Sequence, residues 1–295
     1  MNIWKTIMFK ILVTGAKGQL GSDIEEISTN YTYKFYFVDK KILDITDYKK
    51  VREFVEKNNI NIIINCAAYT AVDKAESEVN LADLINNKAV ENLANLAKEL
   101  SIKLIHISTD YVFDGKNYKP YIESDITNPQ SIYGNTKLCG ENKIIQINPS
   151  NSIIIRTSWV YSQYGNNFVK TMINLSKQKE FLNVINDQVG SPTYARDLAD
   201  IILQILPNLD NNDVEIYHYS NEGVLSWYDF AKEIIGIIKS PCKINPISSE
   251  NYKTLAKRPY YSLLDKSKIK SRFNLEIPYW KDSLNKCLEK LGENI

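Results

Sequence analysis

Short apolar runs alternate with segments of helical periodicity through the first half of the chain. The runs are apolar throughout, which is typical of strands buried on both faces of a parallel sheet. Right-handed crossovers between such strands give a doubly wound sheet. The pattern therefore predicts an α/β, Rossmann-like fold. Its predicted strands are FKILVT (9–14), KFYFV (34–38), NIIIN (61–65), KLIHIS (103–108) and NSIIIRT (151–157), with helices near 20–27, 46–57, 79–100 and 131–147.

This regular alternation ends after Trp159. The segments that follow are shorter: helices near 166–178, 226–239 and 279–291, and a strand-like run, EIYHYS, at 215–220. We therefore predict a dinucleotide-binding Rossmann domain over residues 9–160. Residues 161–295 are predicted to form mostly a smaller C-terminal substrate-binding lobe, part of which can rejoin the central sheet.

Composition and charge narrow the class of protein. The chain has 295 residues, 44% hydrophobic and 24% charged, which excludes a disordered or fibrous protein. Its net charge of +1 argues against nucleic acid or an anionic membrane as a partner, and no apolar run reaches the roughly 18 residues that span a bilayer. The two histidines and four cysteines show no metal-binding spacing. The cysteines are too few and too scattered for a disulfide framework, which indicates a reducing cytoplasm. The first eight residues are too short for a signal peptide, and Met8 is an alternative start.

Three glycines follow the first predicted strand and open a helix. Gly15, Gly18 and Gly21 are spaced G-x-x-G-x-x-G. In this context Gly15 permits a tight turn, Gly18 lets the backbone approach a pyrophosphate, and Gly21 allows the helix to pack closely on the strand. The helix N-terminus favours the anion. A dinucleotide site is therefore predicted, and a purely structural turn is the alternative.

The end of the second predicted strand carries the residue that discriminates between dinucleotides. Asp39 lies 18 positions beyond Gly21, where an acid accepts hydrogen bonds from the adenosine ribose and favours NAD. Lys40 and Lys41 follow at once and can instead hold the 2′-phosphate of NADP. Asp39 can also be a capping residue before a turn. The choice between NADH and NADPH stays open at this stage.

A Y-x-x-x-K motif occurs three times, and its spacing alone carries no weight. With 19 tyrosines and many lysines, chance supplies about two such pairs. The pair that begins at Tyr36 lies in a predicted strand, and the pair that begins at Tyr228 lies in the second lobe. Tyr133 and Lys137 lie on the helix after the fourth strand, which ends in Ser108 and Thr109. Position therefore favours this pair.

Thr109, Tyr133 and Lys137 together suit the reduction of a ketone. Ligands bind at the carboxyl ends of parallel strands, so Thr109 and the start of the next helix can face the glycine turn. A tyrosine with a pKa near 10 is a poor acid–base group unless its anion is favoured, and an ammonium one helical turn away favours it. A threonine hydroxyl can hold the carbonyl oxygen. A surface tyrosine and a surface lysine are the alternative.

These residues resemble the extended short-chain dehydrogenase/reductase family. Further strings resemble, more narrowly, the dTDP-4-dehydrorhamnose reductase family, and the resemblance runs from about residue 9 to the last helix. The strings are TGAKGQLG (14–21), NCAAYTAVDKAE (65–76), STDYVFDG (108–115), YGNTKLCGE (133–141), RTSWVY (156–161), NNF (166–168), VINDQVGSPT (184–193) and RP (258–259).

The resemblance implies an enzyme that reduces the C4 keto group of dTDP-4-dehydro-L-rhamnose with NADPH or NADH, giving dTDP-L-rhamnose. Tyr133 would donate the proton, Thr109 would hold the carbonyl oxygen, and Lys137 would bind the nicotinamide ribose and tune Tyr133. Asn86 matches an asparagine that helps order a proton-relay water. The implied cofactor residues are Gly15, Gly18, Gln19, Leu20, Gly21, Asp39, Asp44, Ala67, Ala68, Tyr133 and Lys137. The implied substrate residues are Val72, Asp73, Asp110, Tyr111, Trp159 and Arg258.

Several positions depart from the family pattern. Tyr69 replaces a frequent histidine and Cys66 a frequent alanine, which reshapes the edge of the implied pocket. Leu263 stands where some members have arginine. Some members pair through Mg²⁺ held by acids, one of them at the position of Arg196. A cation there opposes a metal, so we expect no Mg²⁺-bridged dimer and instead a monomer or a weak homodimer.

Two other functions remain alternatives. One is a nucleotide-sugar epimerase or dehydratase of the same fold, but a dehydratase usually carries a glutamate where this chain has Tyr111. The other is a non-catalytic, nucleotide-binding regulatory subunit. The intact set of Thr109, Tyr133 and Lys137 favours a reductase over both.

Overall fold

The computed structural model describes residues 9–293, and its centre is one six-stranded sheet of parallel strands. The strand order is β10-β5-β4-β3-β1-β2, which confirms the predicted doubly wound fold. In chain order the strands are β1 (Lys10–Thr14), β2 (Lys34–Val38), β3 (Ile62–Asn65), β4 (Lys103–Thr109), β5 (Ile153–Thr157), β6 (Val160–Tyr161), β7 (Phe181–Ile185), β8 (Val189–Gly190), β9 (Thr193–Tyr194), β10 (Glu215–Tyr219), β11 (Leu225–Ser226) and β12 (Lys243–Ile247).

Helices cover both faces of this sheet. They are α1 (Gln19–Ile27), α2 (Tyr48–Asn58), α3 (Val72–Ala75), α4 (Val79–Asp83), α5 (Ala89–Leu100), α6 (Ile132–Ile147), α7 (Phe168–Ser176), α8 (Ala195–Ile205), α9 (Trp227–Ile237), α10 (Ser267–Phe273) and α11 (Trp280–Lys290). None of the helices in the described part of the chain is long and apolar enough to cross a bilayer. Residues 1–8, with the alternative start at Met8, lie outside the described residues.

Alternate residues of each central strand enter different cores. Val13, Ile64 and Ile155 join α1 and α8 on one face, whereas Leu12 and Ile63 join α2 and α5 on the other. Because every side chain of such a strand is buried, the sequence pattern is continuously apolar rather than alternating. This explains why the strands were recognisable from the sequence.

The helix predicted over 79–100 is interrupted. A five-residue π-helical turn, Leu84–Lys88, separates α4 from α5. Asn86 lies in this turn with its side chain fully buried, accepting a hydrogen bond from the Tyr69 amide (2.8 Å) and donating to the Tyr69 carbonyl (3.1 Å). In this turn the Asn86 side-chain amide faces the chain that follows β3. The apolar periodicity of the helix gives no indication of such a π-helical turn.

The second half of the chain returns to the sheet once. The EIYHYS segment forms β10, which pairs in parallel with β5, and α8 packs against α1. The remaining elements build a second core around α7, α9 and α11, bordered by the parallel pair of β7 and β12. Elements within residues 195–219 thus pack on the N-terminal half of the chain, while the division at residue 160 stays a prediction.

Helix α6 lies unusually close to its neighbours. A Cβ built on Gly134 would lie 2.2 Å from the Tyr111 carbonyl oxygen, and one on Gly140 would lie 2.2 Å from the Asn86 carbonyl oxygen. Glu141 fixes the same helix to β5 through a buried ion pair with Arg156, at 2.7 Å. Backbone contact on one side and the ion pair on the other set both the depth and the rotation of α6.

We predict opposite effects for two glycine-to-alanine substitutions in helices. Gly140→Ala should lower the free energy of unfolding by about 1–3 kcal/mol, because the new methyl group overlaps a backbone carbonyl. Gly236→Ala in α9 should raise it by roughly 0.5–1 kcal/mol, because alanine favours helix and, beyond the adjacent residues and the local helix backbone, no described atom lies within 4 Å of its Cβ. Urea unfolding of both variants measures this, and equal effects would contradict the close seating of α6.

Candidate active site

The carboxyl ends of β1, β3, β4 and β5 bring the predicted site residues to one edge of the sheet. The glycine turn follows β1, Ala67 and Ala68 follow β3, Thr109 ends β4, and Trp159 follows β5. This edge is where parallel α/β sheets bind their ligands. The positions predicted from separate stretches of sequence therefore share one crevice.

The glycine turn has the geometry that the spacing predicted. Gly15 adopts a φ of +65°, and a Cβ there would lie 2.7 Å from the Ala67 amide nitrogen. A Cβ on Gly21 would lie 2.5 Å from the Gly15 carbonyl oxygen. Gly15 is thus required by its backbone conformation and Gly21 by the close packing of α1 on the turn.

Gly18 is different, because the protein's own packing leaves room beside it. Among the described atoms a Cβ at Gly18 would meet only the Gly15 carbonyl oxygen, at 3.1 Å. Gly18 caps α1 without a side-chain hydrogen bond, so the first amides of the helix, including those of Gln19 and Leu20, face the crevice with no cap from the described side chains. A bare helix start beside an exposed glycine fits the pyrophosphate of a dinucleotide.

Asp39 forms the turn that its alternative interpretation predicted. Its Oδ1 accepts hydrogen bonds from the amides of Lys41 (2.9 Å) and Ile42 (3.0 Å). Lys40 is exposed and lies 3.9 Å from Asp44, which itself accepts from Thr46. The turn uses one carboxylate oxygen of Asp39, so the residue can cap the loop and still face an adenosine ribose.

Thr109 and Tyr133 meet where β4 ends and α6 begins. The Thr109 hydroxyl donates to Asp110 Oδ1 at 3.0 Å. Burial raises the pKa of Tyr133 to about 12, an effect that the Thr109 hydroxyl opposes as a hydrogen-bonding partner. Burial also raises the pKa of Asp110 to about 7, and its Oδ2 has no hydrogen-bond partner among the described residues. At neutral pH the Tyr133 phenol therefore holds its proton.

Lys137 lies one helical turn further along α6 and is almost fully buried. Its Nζ donates to the Ile107 carbonyl at 2.7 Å and lies 3.1 Å from Nε2 of His106. Burial lowers the pKa of Lys137 to about 8. The structure thus brings Lys137 to the crevice but directs its nitrogen towards β4, and the tuning of Tyr133 by Lys137 stays a prediction.

Among the residues expected to bind substrate, Tyr111 contacts Tyr133 directly. The Tyr111 ring meets the Tyr133 ring edge to face, with centroids 5.4 Å apart. Asp73 on α3 pairs with Arg258 at 2.7 Å, and this guanidinium lowers the pKa of the Asp73 carboxyl. Val72, which begins α3, is partly exposed beside them. Arg258 therefore holds a cation near Tyr111.

Trp159 reaches the same crevice from the end of β5. It has a φ of +49°, and its ring stacks on Trp227 with centroids 3.6 Å apart. A Cβ on Gly190 would lie 3.0 Å from the Trp159 ring and 2.6 Å from Ser262 Oγ, so these groups are neighbours. Trp227 was not predicted, and it occupies one face of the ring that was expected to stack on a sugar.

Two further residues lie near the site without having been predicted from the sequence. Ser262 lies near the buried Asp110 carboxyl, whose pKa it lowers, and so brings the 258–263 segment close to the end of β4. It had no signal beyond its place in the RPYYSLL string. His106 contacts Lys137, and its signal was a polar residue within the apolar run KLIHIS.

The chain is similar to known proteins over nearly its whole length. The family described as RmlD substrate binding domain matches residues 9–293. A dTDP-4-dehydrorhamnose reductase of Aggregatibacter actinomycetemcomitans is 40% identical over 287 residues, which cover 94% of this chain and 97% of that protein. The chain belongs to this family.

Two solved structures of dTDP-4-dehydrorhamnose reductases extend the likeness to three dimensions. The Clostridium acetobutylicum structure is 42% identical with a TM-score of 0.92, covering 96% of this chain and 100% of that one. The Bacillus anthracis structure, in complex with NADP, is 39% identical with a TM-score of 0.92 and the same coverage. The family membership thus rests on nearly the whole chain.

The departures from the reductase family pattern have local partners. The Tyr69 hydroxyl donates to Glu78 at 2.8 Å, and Cys66 is a free thiol whose pKa burial raises to about 12. Leu263 is buried. Arg196 pairs with Glu26 at 2.7 Å, and residues 9–293 contain no group of three acids, histidines or cysteines suited to a metal ion.

We predict that Gly18→Asp abolishes dinucleotide binding, because a carboxylate would meet the pyrophosphate at the start of α1. The fold should survive, since Gly18 is exposed. Titration of NADPH fluorescence measures the affinity, and Gly236→Asp, which adds the same carboxylate to α9, is the control. Unchanged affinity in a folded Gly18→Asp variant would show that the dinucleotide binds elsewhere.

Proposed function

We propose that this protein reduces the C4 keto group of dTDP-4-dehydro-L-rhamnose to dTDP-L-rhamnose with NADPH or NADH. The observation that carries the proposal is the meeting of Thr109 and Tyr133 at the end of β4, in the crevice that also receives the glycine turn. Membership of the dTDP-4-dehydrorhamnose reductase family supports the identity of the sugar.

The chain's residues suit the binding of the reduced dinucleotide. The bare start of α1 and the room beside Gly18 fit the pyrophosphate, and Asp39 with Lys40 and Lys41 faces the adenosine ribose. When bound, the reduced nicotinamide supplies the hydride to the ketone carbon. Lys137 binds the nicotinamide ribose in this proposal, as the family pattern implies.

Tyr133 supplies the proton in the proposed reaction. Because burial raises its pKa to about 12, the phenol is fully protonated at neutral pH and can give its proton to the substrate oxygen as negative charge develops there. Thr109 holds that oxygen beside the phenol. In the structure the Thr109 hydroxyl donates to Asp110, so it has to turn from that carboxyl to donate to the substrate oxygen.

The rim of the crevice suits a sugar nucleotide. Arg258 offers a guanidinium that can form paired hydrogen bonds with phosphate oxygens, and Asp73 holds it in place until then. Val72 and Tyr111 face the sugar, and the face of Trp159 opposite Trp227 can stack on a ring. The proposal thus assigns the diphosphate to Arg258 and the hexose to the space near Tyr133.

We also infer a cytoplasmic enzyme that acts as a monomer or a weak homodimer. All four cysteines are free, which suits a reducing compartment. Arg196 is held by Glu26 at the position where some members of the family place an acid for Mg²⁺. Sedimentation at several protein concentrations, with and without Mg²⁺, tests the second inference.

We predict that Tyr133→Phe lowers kcat by about 100-fold or more, the usual effect of losing a positioned proton donor. The variant should bind NADPH normally, because the ring and its packing against Tyr111 are kept. The assay follows the loss of NADPH absorbance with the keto-sugar as substrate.

Tyr228→Phe is the matched control for that experiment. Tyr228 and the exposed Lys232 form the same motif on α9, where Tyr228 packs against the second core and not against Thr109, so kcat should be nearly unchanged. Loss of activity in Tyr228→Phe, or full activity in both variants, would contradict the placement of the site. A wild-type protein that binds NADPH without oxidising it would indicate a regulatory subunit.

We predict that NADH and NADPH both support turnover. Asp39 favours a free ribose, while Lys40 and Lys41 can neutralise a 2′-phosphate, so neither cofactor is strongly rejected. Steady-state kcat/KM with each cofactor measures the preference. A ratio above roughly a thousandfold, which is about 4 kcal/mol, would mean that one of these groups does not face the ribose.

A further inference from the structure

A row of polar side chains crosses the sheet beneath the crevice. Thr14, Asn65 and His106 lie side by side because β1, β3 and β4 pair in register at these positions. All three are buried, on the face where Leu12 and Ile63 are core residues. Polar groups in such a place require hydrogen-bond partners, so each contact in the row constrains the next.

The row forms a continuous chain of hydrogen bonds that ends at Lys137. The Thr14 hydroxyl donates to Asn65 Oδ1 at 2.6 Å, and Asn65 Nδ2 lies 3.0 Å from His106 Nδ1. His106 Nε2 lies 3.1 Å from Lys137 Nζ, which donates to the Ile107 carbonyl. The imidazole is therefore the only side chain of the described residues that hydrogen-bonds to the lysine.

No carboxylate of the described residues forms an ion pair with Lys137. Glu141, one turn along α6, favours the charged form of Lys137, but three hydrogen bonds commit it to Arg156. Cys66 is the other titratable group that faces the lysine, and burial keeps its thiol protonated. His106, Cys66 and Glu141 are thus the groups that decide the charge of Lys137.

The orientation of the Asn65 amide decides which nitrogen of the His106 ring carries the proton. Burial keeps the pKa of His106 well below its ordinary value, so the ring carries one proton and has one donor and one acceptor. A charged Lys137 needs Nε2 as an acceptor, which puts the proton on Nδ1 and requires the Asn65 amide oxygen beside it. A neutral Lys137 accepts from Nε2–H, and Nδ1 then accepts from the Asn65 NH₂, the arrangement in the structure.

We propose that His106 is a positioning residue that couples the protonation of Lys137 to the tautomer of its own ring, so that Lys137 keeps its place with or without its charge. When Lys137 loses a proton to solvent, the ring still carries one proton, now on Nε2, and the Asn65 amide and Thr14 hydroxyl reverse. The importance of Lys137 for turnover rests on the proposed function. The coupling between the lysine charge and the ring tautomer does not require substrate, cofactor or turnover.

The tautomer of His106 can be read directly by NMR, because the chain has only two histidines. In ¹⁵N-histidine-labelled, cofactor-free protein, His106 should carry its proton on Nδ1 at pH 6 and on Nε2 at pH 10. The change should coincide with deprotonation of Lys137, followed by its ¹³Cε shift and assigned with Lys137→Met. A single tautomer across this range, or an imidazolium at pH 6, would overturn the proposal.

His218 is an internal control for the same spectrum. Its Nδ1 lies 3.0 Å from the Tyr121 carbonyl, which can only accept, and its Nε2 has no partner among the described residues. His218 should therefore stay in the Nδ1–H tautomer at every pH. The His106→Gln spectrum, which retains only His218, assigns the two rings.

Kinetics separate positioning from a merely structural role. His106→Leu removes both ring nitrogens, so the charged form of Lys137 loses an acceptor and the alkaline limb of the kcat profile should move down by about one pH unit. His106→Gln, whose amide can donate or accept, should restore the limb towards wild type. An equal loss of kcat at every pH, with the alkaline limb unmoved, would contradict the coupling.

Failure of the proposed function gives a different result. A wild-type protein that does not reduce the keto-sugar contradicts the proposed function alone, because the NMR experiment needs no turnover.

Discussion

The seating of α6 against the sheet is the constraint on which the site depends. Two glycines let its backbone touch the carbonyls of Tyr111 and Asn86, and the buried pair of Glu141 and Arg156 ties it to β5. Removing either partner of such a pair leaves an uncompensated charge, which typically costs about 3–5 kcal/mol. Tyr133 and Lys137 both project from this helix. Their positions relative to Thr109 therefore depend on residues that take no part in the proposed reaction.

Much of the fold and part of the site could be predicted because the signals are local. A strand buried on both faces is recognisable as an apolar run, and Gly15 and Gly21 are required by contacts within one turn and its helix. The Y-x-x-x-K spacing was not decisive, since three pairs exist, but the position of Tyr133 after β4 was. Order along the chain was therefore more informative than the motif itself.

The features that could not be predicted depend on contacts between distant segments. The π-helical turn at Asn86 serves the chain after β3, and nothing in the periodicity of 79–100 requires it. Trp227 stacks on Trp159 from an element 68 positions further on. The row from Thr14 to His106 exists only because three strands pair in one register. Residue types at single positions do not reveal such registers.

The link between Gln19 and Asn167 has a consequence for recombining this protein with its relatives. Gln19, at the start of α1, donates to the Val160 carbonyl and accepts from Asn167, which also caps α7. One asparagine thus caps the N-terminus of a helix in the C-terminal half and hydrogen-bonds to the first helix of the N-terminal half. A chimera joined near residue 160 keeps this link only if Gln19 and Asn167 are both retained. The two halves therefore cannot be exchanged between relatives without regard to the residues at their contact.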